Sequence, residues 1–207
     1  MQNYIKNPYE IEKRSFEIIT EELGEKTFPE DIGKVVKRVI HTTADFQFAD
    51  ITIINEGAID RAKKAILDGK NIYTDTKMAL SGINKRRLAE YGGKVLNFVS
   101  DDDVAKKAKE EGITRSIVAM RKAVEENPDG IFVIGNAPTA LFELIKQINE
   151  GKARPSLVVG VPVGFVGAAE SKEELLKVDV PYILTRGRKG GSNVAAAIIN
   201  AILYMID

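Results

Sequence analysis

The fold is most clearly indicated by Ile131-Phe132-Val133-Ile134, which is followed directly by Gly135-Asn136-Ala137-Pro138-Thr139-Ala140. The first four residues form an apolar run with the length and composition of a strand that is buried on both faces. Gly135 and Asn136 end that run. Pro138 then suits the first turn of a helix, and Asn136 is the predicted capping residue. A buried strand that passes through a polar corner into a helix is the unit from which parallel α/β sheets are built.

The same alternation of apolar runs and helix-period segments continues along the whole chain. Strands are predicted at 51–54, 71–74, 95–99, 131–134, 157–161 and 182–185. Helices are predicted at 8–23, 30–40, 56–67, 85–91, 102–110, 116–125, 138–149, 172–176 and 192–205. No repeat, low-complexity tract or proline-rich linker divides the chain, so we expect one domain over residues 1–207. The predicted class is an α/β three-layer sandwich, with a mostly parallel central sheet flanked by helices.

Composition excludes several classes of function. The chain of 207 residues has 30 Lys and Arg against 30 Asp and Glu, so no overall positive charge is available to bind a nucleic-acid backbone. It has no cysteine, which excludes disulfide scaffolds, thiolate zinc sites, iron–sulfur clusters and cysteine nucleophiles. The single histidine, His41, excludes a metal site made of several histidines. We therefore expect neither a nucleic-acid partner nor a metal.

Two segments bear on localisation. Residues 1–8 contain no apolar run after a basic segment, so they do not resemble a signal peptide. The longest mostly apolar stretch, 157–169, is interrupted by Pro162 and three glycines, and it is shorter than the ~20 residues that a membrane-spanning helix needs. A cytoplasmic protein without membrane contact is the expectation.

Ligands of open parallel sheets bind at the carboxyl ends of the strands, and two post-strand segments there are unusual. The segment Gly187-Arg188-Lys189-Gly190-Gly191-Ser192 brings two cations to the start of the last helix, where free N–H groups attract an anion. Small residues in 162–171 would let a large flat ligand approach the backbone, although a turn is the better explanation for any one of these glycines taken alone. An anionic ligand is the prediction.

His41 follows a helix whose apolar stripe faces the core. The stripe consists of Ile32, Val35, Val36, Val39 and Ile40. Thr27 and Glu30 resemble a capping box at the start of this helix. At about 100° per residue, His41 lies nearly opposite the centre of the stripe, so it is not a core histidine. Taken alone, it is best explained as an exposed histidine that ends a helix.

Two further polar positions have an ordinary explanation when they are taken alone. In the first helix Ile11, Ile18 and Ile19 define the predicted inward face, Ser15 falls within that face, and Arg14 flanks it. A serine in this position commonly bonds the backbone one turn earlier. Thr114-Arg115-Ser116 resembles a helix cap, with Arg115 as a surface charge.

Seven segments in order resemble the precorrin-8X methylmutase family of vitamin B12 biosynthesis, including its cobalt-precorrin-8 branch. These segments are 11–16, 38–46, 74–78, 112–116, 134–142, 161–172 and 187–192. They extend over nearly the whole chain, and each alone is only moderately specific. Departures are small: Thr76 stands where a small aliphatic residue is usual, and Leu96-Asn97-Phe98 replaces a strand that contains cysteine.

The resemblance implies an isomerase that moves a methyl group from C-11 to C-12 of a corrin-type ring, giving hydrogenobyrinate or cobyrinate without a cofactor. The catalytic histidine of the family matches His41, which would protonate the ring before a suprafacial [1,5] shift. Ser15 matches a substrate-contacting serine, and Arg115 with Ser116 would meet a substrate carboxylate. Further substrate contacts are expected from Arg14, Thr42, Lys77, Asn136 and Arg188. The family also implies a corrinoid substrate and a homodimer with the site near the subunit interface.

Two other functions fit parts of the sequence. A corrinoid carrier would need cations and an apolar slot but no proton donor, so His41 distinguishes it from the enzyme. A nucleotide-binding α/β enzyme rests on fold analogy and on Gly160-Val161-Pro162-Val163-Gly164, but neither the G-x-G-x-x-G nor the G-x-x-x-x-G-K-[ST] motif is present. The enzyme acting on a corrinoid is the leading hypothesis.

Overall fold

A computed structural model describes residues 5–206. The strands are β1 (Thr52–Ile54), β2 (Ile72–Thr74), β3 (Val95–Leu96), β4 (Ile131–Ile134), β5 (Leu157–Gly160) and β6 (Tyr182–Thr185). They form one sheet in the order β1-β6-β5-β4-β2-β3. Only β1 is antiparallel to its neighbour, and all other pairs are parallel. The mostly parallel sheet is therefore confirmed.

Helices connect the strands and cover the sheet. They are α1 (Pro8–Leu23), α2 (Glu30–Thr43), α3 (Phe48–Ile51), α4 (Ala58–Leu67), α5 (Lys77–Gly82), α6 (Lys85–Ala89), α7 (Asp102–Glu111), α8 (Arg115–Glu126), α9 (Pro138–Asn149), α10 (Ala168–Leu175) and α11 (Ser192–Leu203). All six predicted strands and all nine predicted helices are present, with shifted ends. The short helices α3 and α5 were not predicted. The ends of the proposed domain, residues 1–4 and 207, lie outside the described residues.

Apolar side chains of the sheet alternate between two cores. Ile131 and Val133 of β4 pack on the side of α2, α4 and α11, whereas Phe132 and Ile134 pack on the side of α8, α9 and α10. Successive side chains of a strand point to opposite faces, so a central strand with four apolar residues supplies both cores. This confirms the predicted three layers, and it places α2 and α8 on opposite faces of the sheet.

One predicted strand and two predicted caps were wrong in detail. The strand predicted at 95–99 ends at Leu96, because the side chain of Asn97 donates to the carbonyl of Thr74 (2.7 Å). The box of Thr27 and Glu30 does not form, because Glu30 is itself the first residue of α2 and no side chain caps that helix. The third wrong prediction is the helix cap by Asn136. A neighbouring carboxylate accepts the backbone hydrogen bonds there instead.

The predicted inward face of α1 was also wrong. Ile11 and Ile18 are exposed, and only Ile19 of the three isoleucines is buried. The helix packs on α2 through a face rotated by about a quarter turn, where Phe16 and Leu23 lie beside Ile19. Because α1 lies outside the α2 layer, it buries one narrow stripe in this chain and leaves a second apolar stripe in solvent.

Asp75 joins the ends of β2 and β4. Its carboxylate accepts hydrogen bonds from the backbone N–H groups of Gly135 (2.9 Å), Asn136 (2.8 Å) and Ala137 (2.7 Å). Ala137, rather than Asn136, is consequently the residue that precedes α9, while Pro138 occupies the first turn as predicted. Burial raises the pKa of Asp75, and the three N–H donors oppose that rise.

We predict that Asp75→Ala lowers the free energy of unfolding by about 3 kcal/mol, because it removes a charged acceptor from three buried N–H groups. Urea denaturation measures the change. Asp68→Ala is the control, because Asp68 forms an exposed pair with Lys64 on the surface of the molecule and should change stability by less than about 0.5 kcal/mol. Equal effects of the two substitutions would contradict the role of Asp75.

Candidate functional site

The carboxyl ends of β2, β4, β5 and β6 meet at one edge of the sheet, because these strands are parallel. Lys77 follows β2, Asn136 follows β4 and Arg188 follows β6, and all three side chains are exposed. The structure thus places three of the predicted substrate-binding residues along the edge where ligands of such sheets bind.

Backbone contacts join the segments that follow β5 and β6. The N–H of Gly191 donates to the carbonyl of Val161 (2.9 Å), and the N–H of Gly164 donates to the carbonyl of Arg188 (3.1 Å). A Cβ atom at Gly190 would collide with the same Val161 carbonyl. Glycine is therefore required at this position, and the two segments form one unit at the edge of the sheet.

An aromatic and a cationic side chain lie together on this unit. Phe165 and Val166 are 82% and 89% exposed, which is unusual for large apolar residues. The guanidinium carbon of Arg188 lies 5.5 Å from the centroid of the Phe165 ring. An exposed apolar surface beside a cation suits a ligand that has a flat apolar body and acidic side chains.

His41 lies in the last turn of α2, and its side chain is exposed as predicted. Its imidazole stacks on the ring of Phe16 from α1, with centroids 5.2 Å apart and 19° between the planes. Thr42, the next residue, is also exposed. The histidine is therefore held on one ring face and open to a ligand on its edge.

Arg38 lies one turn before His41 and completes this group. Its guanidinium carbon lies 4.7 Å from the centroid of Phe16 and 5.2 Å from that of Tyr204, and the guanidinium bonds Glu12. A shallow cleft opens here, lined by Tyr9, Glu12, Lys13, Phe16, Arg38 and Tyr204. The sequence analysis assigned no role to Phe16 or Arg38, although both lie within segments that resemble the methylmutase family.

An ion pair connects the His41 segment to the β6 edge. The carboxylate of Asp45, four residues after His41, pairs with the ammonium of Lys189 and accepts from the N–H of Gln47 (2.9 Å). The bond to Lys189, followed by the bond to Gln47, lowers the pKa of Asp45. The end of α2 and the 186–191 loop are therefore tied to one another through side chains.

Ser15 and Arg14 form contacts within α1. The hydroxyl of Ser15 donates to the carbonyl of Ile11 (2.8 Å), which is the backbone bond expected of a serine in a helix. Arg14 pairs with Glu17 (3.2 Å) and Glu21 (3.1 Å), and these bonds raise its pKa. Both residues are on the helix that carries Phe16, but their hydrogen bonds in this structure are internal to that helix.

Arg115 and Ser116 begin α8 on the other side of the sheet. Thr114 caps this helix by accepting from the N–H of Ile117 (3.4 Å), as predicted, and its hydroxyl bonds that of Thr139 in the first turn of α9 (3.1 Å). Arg115 is exposed and Ser116 is half-buried. These two residues thus lie beside the α9 corner, on the face opposite α2 and His41.

Among residues 5–206, no group of three or more His, Asp or Glu side chains is arranged to hold a metal ion. None of the helices described there is long and apolar enough to cross a membrane.

Comparison with known proteins identifies the class. A family model described as precorrin-8X methylmutase matches residues 10–205. A cobalt-precorrin-8 methylmutase of Priestia megaterium is 50% identical over 200 residues, covering 97% of this chain and 89% of the relative. One from Salmonella typhimurium is 50% identical over 208 residues, covering 98% and 97%. A crystal structure of precorrin-8X methyl mutase from Thermus thermophilus superposes with a TM-score of 0.87 at 38% identity, covering 94% and 96%.

The fold and the relatives define an isomerase of cobalamin biosynthesis. The chain belongs to the precorrin-8X methylmutase family. This decides for the enzyme and against both the corrinoid carrier and the nucleotide-binding enzyme.

Proposed function

We propose that the protein converts precorrin-8X or cobalt-precorrin-8 to hydrogenobyrinate or cobyrinate by moving a methyl group from C-11 to C-12, with His41 as the general acid. The observation that carries the proposal is the exposed imidazole of His41 at the end of α2, connected to the strand-end loop by Asp45 and Lys189. The names of the Priestia megaterium and Salmonella typhimurium relatives favour the cobalt-containing substrate.

The chemistry needs little beyond a proton donor and a matched pocket. Substrate and product contain the same atoms, so the migrating methyl group breaks one bond to carbon and forms another, and no electrons are gained or lost. Protonation of a ring nitrogen makes the ring electron-poor and promotes the shift, and the proton is returned afterwards. Histidine is the one side chain that changes charge near neutral pH without special tuning.

Phe16 and the exposed edge of His41 together prepare the imidazole to donate its proton. Stacking on the Phe16 ring restricts the imidazole to a narrow set of orientations, and an aromatic face also attracts the imidazolium. Restricting the donor before the substrate arrives reduces the entropy that must be lost on the way to the transition state. The open edge leaves the N–H free to meet a ring nitrogen.

The acidic side chains of the corrinoid require cations, and the edge of the sheet supplies them. We propose that Arg188, Lys77 and Arg115 bind carboxylates, with Thr42, Ser116 and Asn136 as hydrogen-bonding partners. The three cations have no ion-pair partner among the described residues, so a substrate carboxylate can bind them without breaking an existing ion pair. Arg14 differs, because a substrate carboxylate would have to compete with Glu17 and Glu21.

We predict that His41→Ala lowers turnover of precorrin-8X by roughly 10²–10⁴, the range for a positioned general acid. Folding should remain nearly unchanged, since the exposed side chain contributes little to the core, and affinity for hydrogenobyrinate should also change little.

Two comparisons make the His41 experiment specific. His41→Asn keeps a polar side chain of similar size but cannot deliver the proton, so its turnover should resemble that of His41→Ala. Circular dichroism melting curves serve as the folding control. Conversion at the parental rate by either variant would show that another group is the acid.

We predict that Ser15→Ala weakens binding of hydrogenobyrinate by about 0.5–1.5 kcal/mol, the net value of one neutral hydrogen bond. Its hydroxyl now donates to Ile11, and such a bond within a helix adds little stability, so the melting temperature should barely change. Absorption titration measures the affinity. A large fall in melting temperature with parental affinity would instead assign Ser15 a purely structural role.

We further propose that the protein is a homodimer whose interface includes the exposed stripe of α1. Ile11 and Ile18 are 45% and 38% exposed, seven residues apart on one side of the helix. A second copy of the chain is the partner that would bury this stripe. This arrangement would also allow a second subunit to supply groups that one chain places on the opposite face of its sheet.

The double substitution of Ile11→Glu and Ile18→Glu should convert the dimer to a monomer and reduce turnover, because four charges would be buried per interface. Light scattering should give twice the mass of one chain for the parental protein and the mass of one chain for the variant. Leu67→Glu is the matched control, since Leu67 is an exposed apolar residue of α4. An unchanged mass for the α1 variant would exclude this interface.

A further inference from the structure

Lys172 is an unusual residue of α10, because its side chain is completely buried. Its ammonium donates to the carbonyl of Lys189 at 2.9 Å, and no ion pair among residues 5–206 includes it. Burial lowers the pKa of Lys172 to about 8, and the nearby charge of Glu173 opposes that shift. A buried cation with one neutral partner therefore lies directly behind the 186–191 loop.

Folding does not explain this charge. Burial of an ammonium without a carboxylate partner costs free energy, and an apolar side chain of similar size is generally as stable or more so. The Lys189 carbonyl also accepts from the hydroxyl of Thr185 at 2.8 Å, so it would retain a partner without Lys172. The cost of the buried charge therefore points to a use beyond stability.

The contacts of Lys189 show which part of the molecule the buried ammonium of Lys172 holds in place. Two donors, from α10 and from the end of β6, hold its carbonyl from behind. Its own ammonium reaches the opposite way to Asp45, in the segment that follows His41. Arg188, the preceding residue, has its carbonyl bonded to Gly164 and its side chain in solvent beside Phe165. The loop is thus fixed at its backbone while its cations face outward.

We propose that Lys172 is a positioning residue, whose buried ammonium holds the Lys189 carbonyl and so keeps the 186–191 loop in the arrangement that binds a carboxylate of the corrinoid. The buried charge also adds a positive potential behind Arg188 and Lys189, because it lies in a medium of low dielectric constant. This inference rests on the proposed function and extends it to a residue that does not touch the substrate.

The segments around Lys172 carry four further charged residues. They are Glu173 on its own helix, Arg188 and Lys189 on the loop, and Asp45 bound to Lys189. Because burial lowers its pKa to about 8, Lys172 loses its proton between pH 7 and pH 9.

The test compares the parental protein with Lys172→Met, using absorption titration with hydrogenobyrinate at pH 7 and pH 9. At pH 7 the variant should bind about tenfold more weakly, the low end for loss of a charged hydrogen bond. The affinity of the parental protein should fall between pH 7 and pH 9, and that of the variant should not. Turnover at saturating substrate should stay within about twofold, because the chemical step does not involve Lys172.

The free energy of unfolding of the parental protein should rise between pH 7 and pH 9, whereas its affinity for the ligand falls. The folded protein loses the Lys172 proton near pH 8, and the unfolded chain keeps it to 10.5, so the unfolded state binds more protons in between. The contribution of Lys172 to stability therefore rises with pH in that interval. Lys172→Met should be at least as stable as the parental protein at pH 7, and that advantage should shrink toward pH 9.

Two further variants complete the design. Lys177→Met removes a cation that follows α10 and pairs with Glu174 on the surface, and it should leave affinity and its pH dependence unchanged. Thr185→Val removes the other donor to the Lys189 carbonyl; it should weaken binding but retain the fall between pH 7 and pH 9.

Three results would overturn the inference. They are parental affinity with a parental pH profile in Lys172→Met, an equal loss in Lys177→Met, or loss of stability together with loss of turnover at saturating substrate in Lys172→Met. Failure of the proposed function has a separate signature, because the parental protein itself would then bind neither hydrogenobyrinate nor cobyrinate and would convert neither precorrin-8X nor cobalt-precorrin-8.

Discussion

Three backbone N–H groups at the end of β4 donate to the single carboxylate of Asp75, and the candidate site is arranged around this contact. The contact ties β2 to the start of α9. Thr76, the next residue, bonds Ser192 through their hydroxyls (2.7 Å), and a Cβ atom at Gly135 would lie 2.7 Å from the Cα of Ser192. The starts of α9 and α11, on opposite faces of the sheet, are therefore brought to one corner.

From this corner the polar connections continue to the proposed acid. Ser192 begins α11, the 186–191 loop precedes it, and Lys189 of that loop pairs with Asp45 next to the end of α2. The stacked rings of Phe16 and His41 then join α2 to α1. A flexible surface histidine would meet the substrate in many orientations, whereas the Phe16 ring restricts the imidazole and the ion pair with Asp45 restricts the loop that carries the cations.

Two features of the molecule do not serve the stability of a single chain. Lys172 places an ammonium inside the protein without a carboxylate, and α1 exposes Ile11 and Ile18. Residues that lower stability often serve a binding site or an interface. Both features lie on elements that adjoin the proposed site, since α10 lies behind the 186–191 loop and α1 carries the Phe16 ring against His41.

Apolar periodicity reports which residues are removed from water, and it was enough to predict the α/β class, all six strands, nine of the helices and the exposure of His41. It also led to the family through ordered segments. The buried face of α1 could be identified only in the folded molecule, because α1 carries two apolar stripes and packing on α2 selects one. The partners of Asp75, Asp45 and Lys172 likewise come from segments distant in sequence. The local sequence pattern does not predict such contacts, since only the fold brings those atoms within hydrogen-bond distance.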